Sequence, residues 1–362
     1  MISNVGNNIK LEVSGASHAP KITMVLKGIN RGESINVEKL QEFVNRRKAK
    51  NNVYSTSRIE KDKLIITDGI ENNITNGDDI IIEVANNNIK SNDYDNLVNC
   101  PRPSHADYPA FVKYKGTMDM RGGGAFSGRM TLPLVIAGGI CSQILAKHNI
   151  IVGAYINEIY NINSGSYENT TITPKILEKL KQSDFPILDA TKKEEMLLAI
   201  KSANDDNNSV GGKIEAIALN VPVGIGEMMF DSLESQISKV IFGIPAVKAL
   251  EFGVGSKISE LKGDKANDNY YYDENKKICT YTNNNGGILG GLTNGMPILL
   301  RASIKPTPSI ATKQNTIDLQ KKENTTLEIV GRHDACIVPR AVVCIESALA
   351  FCILDNLYNK GE

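Results

Sequence analysis

The stretch MRGGGAFSGRMT, Met120 to Thr131, combines three consecutive glycines with flanking arginines and a serine. Gly122 to Gly124 allow backbone N–H groups to come close to a ligand, because no side chain stands in the way. Arg121 and Arg129 add positive charge, and the helical pattern that follows adds the partial positive charge of a helix N-terminus. The segment therefore predicts an anion site, and the alternative is a tight turn packed against its neighbours.

Two familiar glycine motifs fit this stretch poorly. A P-loop, GxxxxGK[ST], matches from Gly123 to Gly128, but Arg129 and Met130 replace its lysine and its hydroxyl residue. A dinucleotide-binding turn, GxGxxG, needs a glycine where Ser127 stands and a buried strand before it, and VKYKGTMDM is no such strand. An NTP-dependent kinase is therefore the weakest of the functions considered.

Three of the four histidines lie in polar turns marked by glycine or proline. His18 in SGASHAP and His105 in PRPSHADYP are the stronger candidates for proton transfer, because imidazole titrates near neutral pH. His333 in VGRHDACI is a weaker candidate, since the charged residues on either side of it are equally good ones. His148 ends an apolar helical pattern, where a cation interacts favourably with the helix dipole, so we interpret it as structural.

A second glycine cluster, TNNNGGILGGLTNGM, indicates either backbone pressed against a flat partner or crowded turns. In the KPTPS that follows, Lys305, Thr307 and Ser309 offer a cation and two hydroxyls, which suit a phosphate group. Arginine forms bidentate pairs with carboxylates and phosphates. Basic and acidic residues are equal in number at 41 each, so the recurrence of arginine beside these turns predicts a local anion site. The arginines concerned are Arg46, Arg47, Arg58, Arg102, Arg121, Arg129, Arg332 and Arg340.

Hydrophobic periodicity indicates the elements that must position these residues. Helical patterns cover NVEKLQEFVNRRKAK, TLPLVIAGGICSQILAKHN, TKKEEMLLAIKSAN, DSLESQISKVIFG and AVVCIESALAFCILDNLY. Strand-like alternation covers KITMVLKGI, DDIIIEVA, KIEAIALNVPV and MPILLRASIKP. The strands come in groups, which favours an α+β fold with mostly antiparallel sheets over a doubly wound parallel fold. Asp231, followed by Glu234, is predicted to cap the fourth helix.

Composition narrows the class of protein. The chain has 362 residues, 41% of them hydrophobic and 23% charged, as in an ordinary globular protein. Its balanced charge argues against a nucleic-acid partner, and no run approaches the roughly 18–20 apolar residues of a membrane span. The N-terminus does not resemble a signal peptide, so we expect a cytoplasmic protein. Six scattered cysteines without a CxxC pair indicate free thiols and no metal site.

Taken together, these motifs resemble those of the chorismate synthase family. The resemblance runs in family order and spacing from about Gly15 to Glu346, and is carried by GASHA, RPSHADY, KYKGTMDMRGGGAFSGR, DDNNSVGGKIEAIALNVPVGIGE, FDSLESQISKVIFGIPAVKALEFG, TNNNGGILGGLTNGM, KPTPSI and GRHDACIVPRAV. It implies a single domain over residues 1–362, a β-α-β sandwich of antiparallel sheets around helices, and a homotetramer.

The resemblance also implies an activity. Members are lyases of aromatic amino-acid biosynthesis that convert 5-enolpyruvylshikimate 3-phosphate to chorismate and phosphate by an anti-1,4-elimination. They use reduced FMN (FMNH2) with no net redox change, and the resemblance leaves open whether NADPH or an outside source reduces the flavin. The substrate carries two carboxylates and a phosphate, which agrees with the arginine-rich pattern.

Residue roles follow from the same resemblance. His18, with Ser17, would protonate or stabilise the leaving phosphate, and His105 would protonate the reduced flavin. Asp334 would lie near flavin N5 and assist removal of the C6 hydrogen, and Ser127 is grouped with these catalytic residues. Substrate anions would be held by Arg47, Arg102, Arg129 and Arg332. The flavin would contact Ala125, Phe126, Ser127, Pro245, Ala246, Gly290, Lys305, Pro306, Thr307, Pro308, Ser309 and Arg332.

Several positions depart from the family pattern. Ala16 and Ala19 stand where the family usually has Glu and Gly around the histidine, and Ala125 stands where many members carry Arg. Loss of one charge-assisted contact costs about 1.5–3 kcal/mol, which weakens binding without abolishing it. Further departures are Lys48, Ala49, Val53, Pro245, Ala249 and Ala335. The losses at Ala16, Ala19 and Ala125 support an alternative function: an FMN- or phosphate-ligand-binding homologue of the same fold with weak or no turnover.

Overall fold

The computed structural model describes residues 2–49, 61–86, 99–167, 171–329 and 334–358. Its helices are α1 (Val37–Asn45), α2 (Asp107–Lys113), α3 (Leu132–Lys147), α4 (Pro174–Lys181), α5 (Lys193–Asp205), α6 (Leu233–Ile241), α7 (Gly263–Ala266) and α8 (Val338–Leu357). Its strands are β1 (Ile2–Val5), β2 (Lys10–Ser14), β3 (Lys21–Lys27), β4 (Ile65–Asp68), β5 (Ile70–Glu71), β6 (Ile74–Thr75), β7 (Ile80–Ala85), β8 (Ile151–Ile159), β9 (Ile162–Asn163), β10 (Gly212–Leu219), β11 (Val247–Phe252), β12 (Tyr270–Tyr272), β13 (Ile278–Thr280), β14 (Ile288–Leu289), β15 (Leu292–Thr293), β16 (Ile298–Ile304), β17 (Gln314–Asp318) and β18 (Glu323–Leu327).

Two five-stranded antiparallel sheets form the outer layers. The first has the order β1-β2-β3-β7-β4 and the second the order β11-β16-β10-β8-β9. Along β3 every second residue, Ile22, Met24 and Leu26, is buried. This alternation places one face of the first sheet on the core, as in other antiparallel sheets with one covered face.

Helices α3 and α8 lie between the sheets. α3 contacts β2 and β3 of the first sheet, α8 contacts β8 and β10 of the second, and the two helices pack on each other. Both are buried on nearly all sides, since each has a sheet on one side and a helix on the other. A methyl group at Gly138 would overlap with Ser347, so glycine permits the close approach of α3 to α8. The β-α-β sandwich confirms the predicted α+β fold.

One segment of the described residues, Arg121–Lys147, is long and apolar enough to cross a membrane by length and composition. It contains α3, and 72% of its most apolar window is buried inside the protein. Burial of this extent is that of a core helix.

The predicted helices and strands are found at their expected places, but the predicted cap of α6 is wrong. The residue that caps α6 is Ser232, whose Oγ accepts a hydrogen bond from the backbone N–H of Ser235. Asp231 already belongs to the preceding 3-10 turn, Met229–Asp231, whereas a capping residue must be extended. All six cysteines are free thiols, as predicted, and Cys141, Cys336, Cys344 and Cys352 are buried.

Candidate active site

The glycine stretch forms a left-handed turn at the centre of the site. Gly122, Gly123 and Gly124 have φ values of 60°, 90° and 54°, a region that favours glycine. A methyl group at Gly122 would lie 2.7 Å from Oγ of Ser17 and 2.8 Å from Nε2 of His18. A methyl group at Gly123 would lie 3.4 Å from Nε2 of His105. The turn therefore brings together the two histidines predicted to transfer protons.

Ser17 and His18 occupy the two central positions of a tight turn. The backbone N–H of Ala19 donates to the carbonyl of Ala16 at 3.1 Å and closes this turn. The N–H of Ser17 donates to the carbonyl of Gly124 at 3.1 Å, which ties the turn to the glycine stretch. The alanines at positions 16 and 19 are therefore compatible with the backbone that presents His18.

His105 is oriented by a carboxylate. Its Nδ1 lies 2.7 Å from Oδ1 of Asp107 and 3.1 Å from Nη2 of Arg102. Because the shorter contact is to a carboxylate, which only accepts, we assign the hydrogen to Nδ1. Arg102 donates from Nε and Nη2 to the two oxygens of Asp107 at 2.7 and 2.8 Å. Burial opposes the charge on Asp107, but the hydrogen bonds from Arg102 and His105 prevail and hold its pKa well below the usual range. Nε2 of His105 is thereby left facing the glycine turn.

Arg47 and Arg129 converge on one buried carboxylate. Nη1 of Arg129 lies 2.6 Å from Oδ1 of Asp62, and Nη1 of Arg47 lies 3.5 Å from Oδ2. Nε of Arg47 donates to Oγ1 of Thr131, and its Nη2 donates to the carbonyl of Gly128. Burial above all, and then the charges of Arg340 and Arg129, lower the pKa of Arg47.

Asp334 is linked to this cluster through Arg340. Nη1 of Arg340 donates to Oδ2 of Asp334 at 2.6 Å, and its Nε donates to the carbonyl of Arg47 at 3.2 Å. Among the other predicted residues, Arg332, His333, Arg58 and Val53 lie outside the described residues.

The segment Lys305 to Ser309 lies beside Pro245, Ala246 and His105. The N–H of Lys305 donates to the carbonyl of Ala246 at 2.9 Å, and its Nζ donates to the carbonyl of Ser104 at 2.5 Å. Burial and the charge of Lys248 lower the pKa of Lys305. Nη1 of Arg102 donates to Oγ of Ser309 at 3.3 Å, which joins this segment to the Arg102–Asp107 pair.

The hydroxyl of Thr307 bears on whether the segment Lys305 to Ser309 could hold a phosphorylated cofactor. Its Oγ1 is buried and has no hydrogen-bond partner among the described residues. The lysines at 305 and 248 place two positive charges in the same neighbourhood. A buried, unsatisfied hydroxyl two residues after a lysine fits a phosphate group.

The remaining predicted cofactor residues divide between two places. Ser127 ends the glycine turn and its Oγ accepts from the N–H of Arg129 at 3.3 Å, while Phe126 beside it is 39% exposed. Gly290 lies in the turn of the hairpin β14–β15, and the following Gly291 packs against Glu227. In the second glycine cluster Gly286, Gly287 and Gly291 are crowded by backbone atoms, whereas the space beside Gly290 is open, so both alternatives that the sequence leaves open remain.

Three residues of the site were not predicted from the sequence. Asp107 follows His105 by two positions in SHAD, and this spacing was the available signal. Asp62 and Asn86 carry no local signal, because their partners Arg47 and Arg129 are distant in sequence.

Two imidazoles on one glycine turn, next to a buried guanidinium group and on an α+β sandwich, are the arrangement expected of an enzyme that acts on a small molecule. The family model described as chorismate synthase matches residues 9–358, and the chain belongs to the chorismate synthase family. It is accordingly a lyase that catalyses the last step of the shikimate pathway.

Individual relatives agree with this assignment. The chain is 40% identical to the chorismate synthase of Dehalococcoides mccartyi strain 195 over 361 residues, which cover 100% of this chain and 98% of the relative. It is 41% identical to the chorismate synthase of Methanosphaera stadtmanae over 364 residues, with the same coverage of 100% and 98%. A crystal structure of a chorismate synthase superposes with a TM-score of 0.76 at 26% identity, covering 98% of this chain and 93% of that one.

Proposed function

We propose that this chain is an active enzyme that eliminates phosphate from 5-enolpyruvylshikimate 3-phosphate with reduced FMN as cofactor. The observation that carries the proposal is the placement of His18 and His105 on the Gly122–Gly124 turn. Nη2 of the buried Arg102 lies 3.1 Å from Nδ1 of His105, and Asn86 links the buried Arg129 to the His18 turn. Proton transfer and anion binding are thereby supplied at one place.

The substrate anions would be held by Arg47, Arg102 and Arg129, with Arg332 as a further proposed contact. Each of the first three is at most 6% exposed. Asp62 pairs with Arg47 and Arg129, and Asp107 pairs with Arg102, so carboxylates hold these buried guanidinium groups in place. The arginines are thus fixed before the substrate arrives, which lowers the cost of binding.

His18 would hold a proton at Nε2 and deliver it to the departing phosphate, with the Ser17 hydroxyl as a second donor. Both side chains border the same face of Gly122. As an imidazolium, His105 would hold a second proton at Nε2 toward the cofactor, while its Nδ1–H is donated to Asp107. Asp334, paired with Arg340, would assist removal of the C6 hydrogen.

The residues present fit FMN. Its phosphate and ribityl chain would be held by the run Lys305 to Ser309 with Pro245 and Ala246, and its ring by the run Ala125 to Ser127; Gly290 and Arg332 are further proposed contacts. When bound, the reduced flavin supplies the electron-rich ring that the elimination requires. Where the enzyme reduces its own flavin, NADPH is the proposed reductant.

We further propose a cytoplasmic homotetramer of single-domain subunits. Met228, Met229 and Phe230 are 71%, 70% and 87% exposed, and exposed apolar groups of this kind favour an assembly surface. Sedimentation equilibrium tests this part, and a monomer at micromolar concentration would contradict it.

The activity is tested in an anaerobic assay with purified protein, chemically reduced FMN and substrate, in which chorismate and phosphate are followed together. We expect equal, flavin-dependent release of both. The departures at Ala16, Ala19 and Ala125 favour the second candidate, a binding homologue, which would bind FMN without releasing either product.

The role assignments are tested by His18→Ala and His105→Ala. Each variant is expected to lower turnover by at least about a hundred-fold, as for general acid–base groups. His148→Ala, at the C-terminal end of α3, is the matched control and should retain activity. Near-full activity in both site variants would show that the assigned roles are wrong.

A further inference from the structure

Asn86 connects the turn that carries His18 to the guanidinium group of Arg129. It directly follows β7, is 9% exposed, and donates its backbone N–H to the carbonyl of Pro20 at 2.9 Å. Its side-chain Nδ2 donates to the carbonyls of Ala19 at 2.7 Å and Ala16 at 3.3 Å. These are the first and last residues of the turn that presents Ser17 and His18.

The other end of the same amide contacts an arginine. Oδ1 of Asn86 accepts from both Nε and Nη2 of Arg129 at 3.2 Å. Carbonyl oxygens only accept and guanidinium nitrogens only donate, so the orientation of the amide is fixed by its partners. One side chain therefore fixes the His18 turn and the Arg129 guanidinium relative to each other.

Few residue types can do this. Asp at position 86 would keep an acceptor toward Arg129 but would place an oxygen against the carbonyls of Ala16 and Ala19. Ala would remove both contacts, and Gln would displace them by one methylene. The pattern requires a donor and an acceptor on one short planar group.

We infer that Asn86 is a positioning residue. It fixes the position of His18, the proposed proton donor, relative to the anion that Arg129 would hold. This inference rests on the proposed role of His18. Misplacement of a reacting group by about 1 Å lowers rates by about a hundred-fold, so a side chain that fixes this geometry contributes to turnover without contacting substrate.

The test is a double-mutant comparison of Asn86→Asp in the wild-type and His18→Ala proteins, in the anaerobic assay. We expect Asn86→Asp to lower kcat at least about tenfold while KM changes less than about threefold, since the acceptor to Arg129 is kept. In the His18→Ala background the same change should lower kcat by less than about threefold, because its effect acts through His18.

Asn220→Asp is the matched control. Asn220 also follows a strand, β10, and donates its Nδ2 to a backbone carbonyl, that of Asn149, at an exposed position. If Asn86→Asp does not fold, as judged by circular dichroism, the same comparison is made with Asn86→Ala, for which KM should also rise.

Two outcomes overturn the inference. One is a position-86 variant whose kcat equals that of wild type. The other is a substitution at position 86 that lowers kcat by the same factor in the wild-type and His18→Ala proteins. Failure of the proposed function is distinguishable from both. In that case the wild type would release neither chorismate nor phosphate. Failure of the His18 role alone would leave His18→Ala with near-full turnover, whatever the effect at position 86.

Discussion

Asp107 illustrates how one residue orients a neighbour with a proposed catalytic role. Its two oxygens are shared between Arg102 and Nδ1 of His105, so the imidazole is held in one tautomer with Nε2 toward the glycine turn. A carboxylate behind a histidine commonly fixes both the tautomer and the orientation of the ring.

The lowered pKa of Asp107 predicts a pH-dependent contribution to stability. Although burial opposes the charge, Arg102 and His105 lower the pKa of this carboxyl in the folded state. Its contribution is therefore complete above the unfolded pKa, about 3.9, and is lost as the pH falls below it toward the folded value. Asp107→Asn should be clearly less stable than wild type at pH 7, and the difference should shrink below about pH 4.

Urea unfolding of both proteins from pH 7 to pH 3 measures this difference. Asp264→Asn, at a carboxylate whose side chain is 67% exposed, is the surface control. A stability difference that stays constant over the whole range would contradict the prediction.

The chemical types of the site residues could be predicted from the sequence, but their pairing could not. His18 and His105 were identifiable because histidine is rare in this chain and both lie in turns. Asn86 and Arg129 are 43 positions apart, and the contact between them is set by the packing of β7 beside the Ser17–His18 turn. No local pattern encodes such a contact.

At the scale of elements, the glycine turn carries the site. A methyl group at Gly122 would press on Ser17 and His18, and φ of 60° is unfavourable for alanine. Gly122→Ala should therefore lower kcat/KM by about a hundred-fold, the effect of moving a catalytic group by about 1 Å. The measurement is steady-state kinetics in the anaerobic assay.

Gly128→Ala is the matched control for this substitution. It lies in the same segment, its φ is outside the left-handed region, and no atom lies within 4 Å of the added methyl group. Its kcat/KM should stay within about threefold of wild type. A comparable loss in both variants would mean that the conformation at Gly122 is not what the site requires.

The α3–α8 contact gives a prediction about stability. Gly138 of α3 faces Ser347 of α8, and an added methyl group would overlap with that side chain. Gly138→Ala should destabilise the fold by about 1–3 kcal/mol through overpacking, despite the better helix propensity of alanine. Gly263→Ala in α7, with open space around the added methyl group, should be neutral or slightly stabilising, and denaturant unfolding compares the two.

Helices and strands were predicted correctly where the hydrophobic periodicity extends over several helical turns or over several residue pairs of a strand. α3 and α8 have long apolar patterns, and β3 and β16 have seven residues each. The two-residue strands β5, β6, β14 and β15 are too short to show any alternation. The cap of α6 was misassigned because Asp231 and Ser232 are both good capping residues in the sequence, and only the backbone distinguishes them.

At the scale of the whole molecule, the anion site connects parts of the chain that are far apart. Arg47 follows α1, Arg129 precedes α3, and Arg340 belongs to the first turn of α8, between the two sheets. Asp62 lies before β4 at the edge of the first sheet and contacts both Arg47 and Arg129. A ligand bound here contacts both the first sheet and the central helices, so its binding energy opposes unfolding of the whole sandwich.

This connection predicts that substrate stabilises the folded protein through Arg129. A ligand that binds only the folded state adds about 2.7 kcal/mol at a concentration one hundred times its Kd. 5-Enolpyruvylshikimate 3-phosphate should therefore raise the unfolding temperature of wild type in a thermal scan without flavin. Arg129→Ala should lose most of that rise. Arg121→Ala should keep it, because the Arg121 side chain is 49% exposed and pairs with Asp119. An equal rise in all three proteins would place the bound anion elsewhere.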